Sequence, residues 1–162
     1  MKYIVGIGAS GALAEARVAD GVRRVRDVVR VLSVSRAYAN PAFGGVTHER
    51  FVNAATVVES AWGAAALLHT LHAIEHDVGR VRGAKNGARA LDLDVLWALD
   101  AVGALTLIVD AQRVVAVPHP RVLERPSAVV PAVEALERAG VPVPARLRIA
   151  CDGSLRATLA VI

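Results

Sequence analysis

The chain is poor in cysteine and in aromatic residues, and each shortage excludes a class of protein. Cys151 is the only cysteine among 162 residues, so no disulfide can form within the chain, which fits a reducing cytoplasm. Aromatic residues make up 4% of the chain, too few for the stacking platforms of single-strand nucleic-acid binders. No apolar run reaches the roughly 18 residues that a membrane-spanning helix needs. We therefore expect a cytoplasmic protein that binds neither nucleic acid nor membrane.

Lysine is also scarce, so the positive charge rests almost wholly on arginine. The net charge is +4, and Lys2 and Lys85 are the only lysines. We attribute this bias first to a GC-rich genome and only then to selection for anion binding. The charge is also modest for a nucleic-acid binder. A chain of 162 residues can bury a core, and we expect one domain over residues 1–162, with a monomer as the working interpretation.

Hydrophobic periodicity predicts the order β-α-β-β-α-β. The predicted strands are residues 3–8, 31–38, 51–59 and 91–97, and the predicted helices are residues 12–29 and 61–78. This order is the ferredoxin-like arrangement, an α+β sandwich with helices on one face of a largely antiparallel sheet. Residues 40–45 are expected to form a loop, residues 105–109 and 113–117 to extend the sheet, residues 124–139 to contain a helix, and residues 147–162 to close as a hairpin.

The segment Gly6–Gly11 matches G-x-G-x-x-G between a predicted strand and a predicted helix. Such a motif can mark a Rossmann dinucleotide site. The predicted strands at 31–38 and 51–59 follow each other without a helix, which breaks the doubly wound pattern. A tight strand-to-helix turn is therefore the preferred interpretation. The sequence has no G-x-x-x-x-G-K-[ST] segment, which argues against a P-loop kinase.

Two carboxylates follow a glycine-bearing cationic segment. Asp92 and Asp94 are two residues apart on a predicted strand, so they share a face at a Cα separation of roughly 7 Å. Carboxylates this close repel each other unless a cation joins them, and Mg²⁺ carrying substrate phosphates suits them. The preceding cations would bind the same phosphates; they are Arg80, Arg82, Lys85 and Arg89. The segment therefore predicts a Mg²⁺-nucleotide site.

Three further groups of residues have both a functional and a structural interpretation. Phe51 and Asn53 share a strand face, which suits either a flat heteroaromatic ligand or a core Phe beside a strand-end Asn. The turn Pro118–Pro120 presents His119 near Arg125, either as a phosphate-binding edge or as a plain turn. A histidine-bearing helix face is read as solvated or partly buried rather than as a zinc site, since H-E-x-x-H is absent; its members are His69, His72 and His76.

In their order along the chain, these segments resemble the 6-hydroxymethyl-7,8-dihydropterin pyrophosphokinase family of folate biosynthesis. The resemblance covers about residues 2–135, and its specific parts are the Asp-Leu-Asp segment at 92–94 and the Pro-His-Pro-Arg segment at 118–121. It implies the ferredoxin-like fold. It also implies transfer of the terminal diphosphate of ATP to a pterin hydroxymethyl group, with release of AMP and with two Mg²⁺ ions as cofactors.

The resemblance also implies roles for individual residues. Asp92 and Asp94 would hold the Mg²⁺ ions. The catalytic cations would be Arg80, Arg82 and Arg89. The nucleotide would be bound by Glu75, Lys85, His119 and Arg125. The pterin-like acceptor would be bound by Gly8, Asn40, Phe43, Phe51 and Asn53.

The acceptor side departs further from the family's pattern than the phosphate side does. Ser127 stands where the family has a second aromatic ring. Lys85–Gly87 stands where the family has Arg-Trp-Gly, in a catalytic loop that is one residue shorter in this chain. The leading hypothesis is an ATP-dependent diphosphotransferase acting on a hydroxymethyl-pterin or a related acceptor. A non-enzymatic pterin- or nucleotide-binding paralogue is the second hypothesis, and a Rossmann protein binding NADP is the third.

Overall fold

The structure, a computed structural model, describes residues 1–41, 50–78, 90–100, 108–110, 115–151 and 159–162. The strands are β1 (Lys2–Ser10), β2 (Arg30–Val34), β3 (Tyr38–Pro41), β4 (Arg50–Glu59), β5 (Asp92–Leu99), β6 (Ile108–Asp110), β7 (Val115–Val117) and β8 (Ala160–Val161). The helices are α1 (Ala14–Val28), α2 (Ala64–Asp77), α3 (Pro126–Arg138) and α4 (Ala145–Ala150), and a 3₁₀ turn spans Val122–Glu124. No helix within these ranges has both the length and the apolar character needed to cross a membrane.

The main sheet has the order β5-β1-β4-β3-β8, and β2 pairs with the other end of β4. The central strand β1 is antiparallel to both of its neighbours, β4 and β5. This confirms the predicted α+β fold with a largely antiparallel sheet. It also removes the Rossmann interpretation, which needs parallel strands around the first one. Gly11 has φ of +88°, a value that glycine adopts readily, so its place in the motif is explained by the turn into α1.

Helices cover both faces of this sheet. The face of β1 that carries Tyr3, Val5 and Ile7 packs in one hydrophobic cluster with α1 and α2. The other face, which carries Ile4, packs in a second cluster with α3 and α4. The two helices of the β-α-β-β-α-β unit therefore share a face as predicted. The expectation that every helix lies on that face is wrong, because α3 and α4 follow the unit and cover the opposite side.

A β-bulge in β5 places Trp97 on the unexpected face. Ile4 pairs with Trp97 while the next residue of β1, Val5, pairs with Val95, so Leu96 is the extra residue. Simple alternation predicts that Trp97 shares a face with Leu93 and Val95. The inserted residue reverses the alternation after Val95, and Trp97 packs fully buried in the cluster under α3.

A buried serine divides the predicted strand 31–38 into β2 and β3. The Ser35 N–H donates to the Ala55 carbonyl at 2.9 Å, and the Ser35 hydroxyl accepts the Ala55 N–H at 2.9 Å. A side-chain oxygen thus replaces a backbone carbonyl of the ladder, and the strand is interrupted there. Asn40 and Pro41, which were predicted to be in a loop, belong to β3.

The C-terminal expectations were less accurate. Strands β6 and β7 form a separate two-stranded sheet and do not extend the main one. Residues 145–150 form α4, so a hairpin starting at residue 147 is wrong. The final strand β8 instead pairs with β3, where Tyr38 lies opposite Val161 and Ala39 opposite Ala160.

Glu134 joins α3 to the segment between β2 and β3. Its carboxylate accepts the Arg36 backbone N–H at 3.1 Å, the Arg36 Nε–H at 2.8 Å and the Tyr38 hydroxyl at 2.8 Å. The Arg138 guanidinium lies 3.1 Å away. The side chain of Glu134 is 13% exposed. Replacing it therefore leaves several donors without their shared acceptor.

Glu134→Ala is expected to lower the free energy of unfolding by about 2 kcal/mol, because it removes charge-assisted hydrogen bonds from a mostly buried site. The measurement is urea unfolding at neutral pH. Glu137→Ala is the matched control on the same helix, since Glu137 is 42% exposed and its ion pair with Arg148 is a surface pair. Equal losses in the two variants would contradict the role given to Glu134.

Candidate active site

A cavity of about 80 Å³ opens on the α3 side of the sheet. Helix α3 and the 3₁₀ turn before it form one wall of the cavity, and the strands β1, β4 and β5 form its floor and other walls. The cavity brings together six of the residues predicted from sequence. They are Gly8, Asn53, Asp92, Asp94, His119 and Arg125. Residues from five separate parts of the chain therefore converge where the sequence analysis placed a metal, a nucleotide and an acceptor.

Glycines form the floor of this cavity. Gly8 lies opposite Asn53 on one side and Asp92 on the other, and Gly6 lies opposite Asp94. A Cβ atom at Gly8 would stand 3.0 Å from Asn53 Oδ1. Because Gly8 has no side chain, it leaves space for the Asn53 amide. Gly8 also lies between Asn53 and Asp92 in the sheet.

The acceptor-side residues lie on the neighbouring strands. Asn53 Nδ2 donates to Asn40 Oδ1 at 2.7 Å, which links β4 to β3. Phe51 lies two residues from Asn53 on the same face of β4, opposite Ser10 of β1 and Asn40 of β3. The ring and the two amides thus occupy one end of the sheet face that carries the cavity. Phe43 lies outside the described residues.

Asp92 and Asp94 share this face, as their spacing predicted. The side chain of Asp94 is 41% exposed, and its Oδ2 lies 3.4 Å from His119 Nε2. Burial and, to a smaller extent, the charge of Asp92 together raise the pKa of Asp94 to about 6, against smaller lowering effects of the Val95 backbone N–H and of His72. The metal-free pair is therefore a site of unfavourable negative charge that a cation would stabilise.

Two hydrogen bonds fix His119, one donated by its backbone and one accepted by its ring. Its N–H donates to the carbonyl of Leu96, the extra residue of the bulge, at 2.9 Å. Its Nδ1 accepts the backbone N–H of Arg121 at 3.2 Å. Burial and the nearby Arg125 lower the pKa of His119, which favours the neutral ring. The turn therefore presents a neutral imidazole to the carboxylates.

Glu75 is buried at the edge of the sheet. It is 2% exposed, and its Oε1 accepts the backbone N–H of Leu93 at 2.7 Å. Since β5 is the edge strand of the main sheet on this side, α2 supplies an acceptor to a backbone donor of that edge. The nucleotide-binding role expected of Glu75 stays a prediction, and the contact that the structure gives is a structural one.

Several predicted residues lie outside the described part of the chain. They are Arg80, Arg82, Lys85 and Arg89. Sequence reasoning gave no role to His72, which was expected on a solvated or partly buried helix face and whose charge acts on Asp94. The available signal was its position three residues before Glu75, which places the two on neighbouring positions of α2.

The donor set suits Mg²⁺ that arrives with a ligand. Among the described residues, no group of three or more His, Cys, Asp and Glu side chains could hold a metal on its own. Mg²⁺ is commonly bound by one or two carboxylates together with substrate phosphates. The strongly raised pKa of Asp94 beside Asp92 fits such a cation. The two carboxylates could thus supply part of a coordination shell, with the remainder coming from a ligand and water.

The raised pKa of Asp94 has a consequence for stability. In metal-free protein, the folded state keeps this proton up to about pH 6, whereas the unfolded chain releases it near its ordinary value of 3.8. The folded state binds more protons in that window, so stability falls as pH rises through it. With allowance for exposure, Asp94→Asn should stabilise the metal-free protein by about 1 kcal/mol at pH 7.

Urea unfolding in EDTA at pH 7 and pH 4 tests this expectation. Most of the gain from Asp94→Asn should be absent at pH 4, where Asp94 is largely neutral in the folded wild-type protein. A gain of equal size at both pH values would attribute the effect to packing rather than to charge.

Comparison with known proteins now identifies the family. The family model described as 7,8-dihydro-6-hydroxymethylpterin-pyrophosphokinase (HPPK) matches residues 4–137. The chain belongs to the HPPK family. The match includes the whole cavity floor, the Asp92 and Asp94 pair, the His119 turn and nearly all of α3, which confirms the resemblance drawn from the sequence.

Individual relatives support the assignment. The chain is 39% identical over 67 residues to a 2-amino-4-hydroxy-6-hydroxymethyldihydropteridine pyrophosphokinase of Pseudomonas aeruginosa, covering 41% of each protein. It is 34% identical over 106 residues to the protein of the same name in Methylorubrum extorquens, covering 65% of this chain and 63% of the relative. It is 36% identical over 87 residues to a mitochondrial folate synthesis bifunctional protein of Pisum sativum, covering 54% of this chain.

The chain covers less than two thirds of the length of each of these relatives. The shares are 41% for the Pseudomonas protein, 63% for the Methylorubrum protein and 16% for the Pisum protein. With identities of 34% to 39% to these relatives, the chain is a divergent member of the HPPK family.

Proposed function

We propose that this protein transfers the terminal diphosphate of ATP to 6-hydroxymethyl-7,8-dihydropterin or a closely related alcohol in folate biosynthesis. The observation that carries the proposal is the cavity in which Asn53, the Asp92 and Asp94 pair and His119 face one another. It joins a group that can read a heterocycle to groups that can hold a metal and phosphates. The names of the relatives point to the same reaction.

In this reaction the acceptor's hydroxyl oxygen attacks the β-phosphorus of ATP. The bond between that phosphorus and the oxygen bridging to the α-phosphorus breaks, AMP leaves with the bridging oxygen, and the hydroxyl proton passes to solvent. Phosphoryl transfer depends mainly on positioning and on neutralising charge. The cavity is therefore suited to the task without a strong side-chain base.

Asp92 and Asp94 would hold Mg²⁺, which would neutralise the negative charge of the phosphates when bound. Two Mg²⁺ ions are proposed, with Asp92 and Asp94 as their protein ligands. His119 and Arg125 would contact phosphates from the α3 side of the cavity. Arg80, Arg82, Lys85 and Arg89 are proposed to contribute further positive charge from residues 79–89.

The acceptor would lie on the glycine floor. Gly8 leaves the floor flat beside Asn53, so a planar ring can approach the backbone there. The linked amides of Asn53 and Asn40 would hydrogen-bond the edge of the ring, and Phe51 would stack on it. Phe43 is proposed to contribute a second ring. Ser127 in the first turn of α3 adds only a small side chain to the cavity wall.

The test is AMP formation from ATP and Mg²⁺, measured by chromatography with and without 6-hydroxymethyl-7,8-dihydropterin. The proposal expects AMP only when the pterin is present. AMP formed at the same rate without pterin would overturn the transfer reaction in favour of ATP hydrolysis. No AMP in either arm, with Mg²⁺-ATP bound in calorimetry, would instead favour a non-catalytic nucleotide-binding relative.

We further propose that residues 1–162 act as one domain, as a monomer and in the cytoplasm. Gel filtration with light scattering tests the monomer, for which the expected mass is that of a single 17.0 kDa chain. A concentration-independent dimer would contradict it.

A further inference from the structure

The contact between His119 and Asp94 assigns the histidine a task besides binding phosphate. His119 lies 25 positions after Asp94, on the turn that follows β7, yet its Nε2 reaches within 3.4 Å of Asp94 Oδ2. The histidine side chain is 28% exposed, so most of the ring is packed against protein.

The protonation of the ring is set by its other nitrogen. The Arg121 backbone N–H donates to His119 Nδ1, so Nδ1 is an acceptor and carries no hydrogen. In a neutral imidazole the proton is then on Nε2, the nitrogen that faces Asp94. The turn thus selects the tautomer whose N–H is on the ring nitrogen nearest the carboxylate.

The backbone of His119 is fixed to the same strand that carries Asp94. Its N–H donates to the carbonyl of Leu96 at 2.9 Å. Leu96 is the extra residue of the bulge in β5, and a bulged residue is left out of the regular ladder. The bulge therefore offers a carbonyl two residues beyond Asp94, and the histidine turn is attached at that point.

We propose that His119 is a positioning residue for Asp94, holding one carboxylate oxygen so that the other is directed to the metal before any nucleotide arrives. This inference rests on the proposed function, since it takes Asp92 and Asp94 to be the metal pair. A hydrogen-bond donor beside a metal-binding carboxylate orients that carboxylate, so the side chain loses less conformational entropy when the cation binds. His119 thereby acts on metal affinity and not only on the nucleotide.

The test measures Mn²⁺ binding to the intact protein without nucleotide, by electron paramagnetic resonance of the free ion. His119→Phe keeps a packed ring but removes the N–H donor, and it is expected to weaken Mn²⁺ binding about tenfold. His119→Gln keeps an N–H near the position of Nε2 and should restore most of the affinity. The matched control is His76→Gln, because His76 is 88% exposed on α2 and should leave Mn²⁺ binding unchanged.

Asp92→Asn separates this inference from the proposed function. If Asp92→Asn binds Mn²⁺ as the wild type does, the metal assignment itself fails and the positioning role fails with it. If the wild type binds no Mn²⁺ without nucleotide, only the positioning role is overturned, because that role requires the carboxylates to bind a cation before the nucleotide arrives. If Asp92→Asn loses Mn²⁺ while His119→Phe binds it with unchanged affinity, only the positioning role is overturned. If Mn²⁺ affinity falls in His119→Phe and does not recover in His119→Gln, the positioning role is also overturned, because that pattern indicates packing rather than hydrogen bonding.

Discussion

Asp92→Asn and Asp94→Asn are each expected to lower pterin-dependent AMP formation on the order of 10³-fold. Each substitution removes a negative charge from a two-carboxylate site that Mg²⁺ would share with phosphates. A metal contributes several kcal/mol to stabilising a transition state, and each 1.36 kcal/mol corresponds to a factor of ten in rate. The measurement is kcat for AMP release at saturating Mg²⁺ and ATP.

Asp77→Asn is the control for the loss of a carboxylate as such. Asp77 lies at the end of α2, is 69% exposed and forms a surface ion pair with His76 at 3.9 Å. It should retain full activity. Activity in Asp92→Asn and Asp94→Asn within a few-fold of the wild type would contradict the metal assignment. Because Asp94→Asn is expected to be more stable than the wild type without metal, its loss of activity could not be explained by unfolding.

Glu75→Ala is expected to lower the free energy of unfolding by about 3 kcal/mol. The substitution leaves the buried Leu93 N–H without its charged acceptor and opens a void beneath the edge of β5. Glu75→Gln keeps an oxygen at the same place and should lose about half as much. Urea unfolding of the two variants beside the wild type gives the comparison.

The same pair of variants separates the structural role of Glu75 from the nucleotide role suggested by family resemblance. A structural role predicts that stability changes and that the KM for ATP of Glu75→Gln stays close to that of the wild type. A nucleotide role predicts a raised KM for ATP in a protein of unchanged stability. The second pattern would show that Glu75 leaves its buried position when ATP binds.

The order of elements could be predicted because it depends on local periodicity. One predicted strand was too long and one residue, Trp97, was assigned to the wrong face, because both depend on contacts that periodicity does not contain. The Ser35 hydroxyl can interrupt a strand only if Ala55 lies beside it, and that neighbour is 20 residues away. The bulge at Leu96 arises from its pairing with β1, and it reversed the face assigned to Trp97.

In the site too, features set by local spacing were predicted, and features set by distant contacts were not. The shared face of Asp92 and Asp94 follows from strand geometry and was predicted correctly. The approach of His119 to Asp94 depends on the turn after β7 returning to β5, which no spacing in the sequence specifies. Glu75 was expected to bind the nucleotide by family resemblance, and its burial against the Leu93 N–H of β5 could not be seen from the sequence.

The bulge also gives the protein its own optical reporter. The chain has two tryptophans, and they differ sharply in environment. Trp97 is 0% exposed and lies three residues from Asp94 on the same strand, whereas Trp62 is 43% exposed. Trp62 emission should therefore be red-shifted and quenched by iodide, while Trp97 emission should be blue-shifted and shielded. A Trp62→Phe background leaves a single tryptophan, on the strand that carries the carboxylate pair, so cation and nucleotide titrations can be followed without an attached dye.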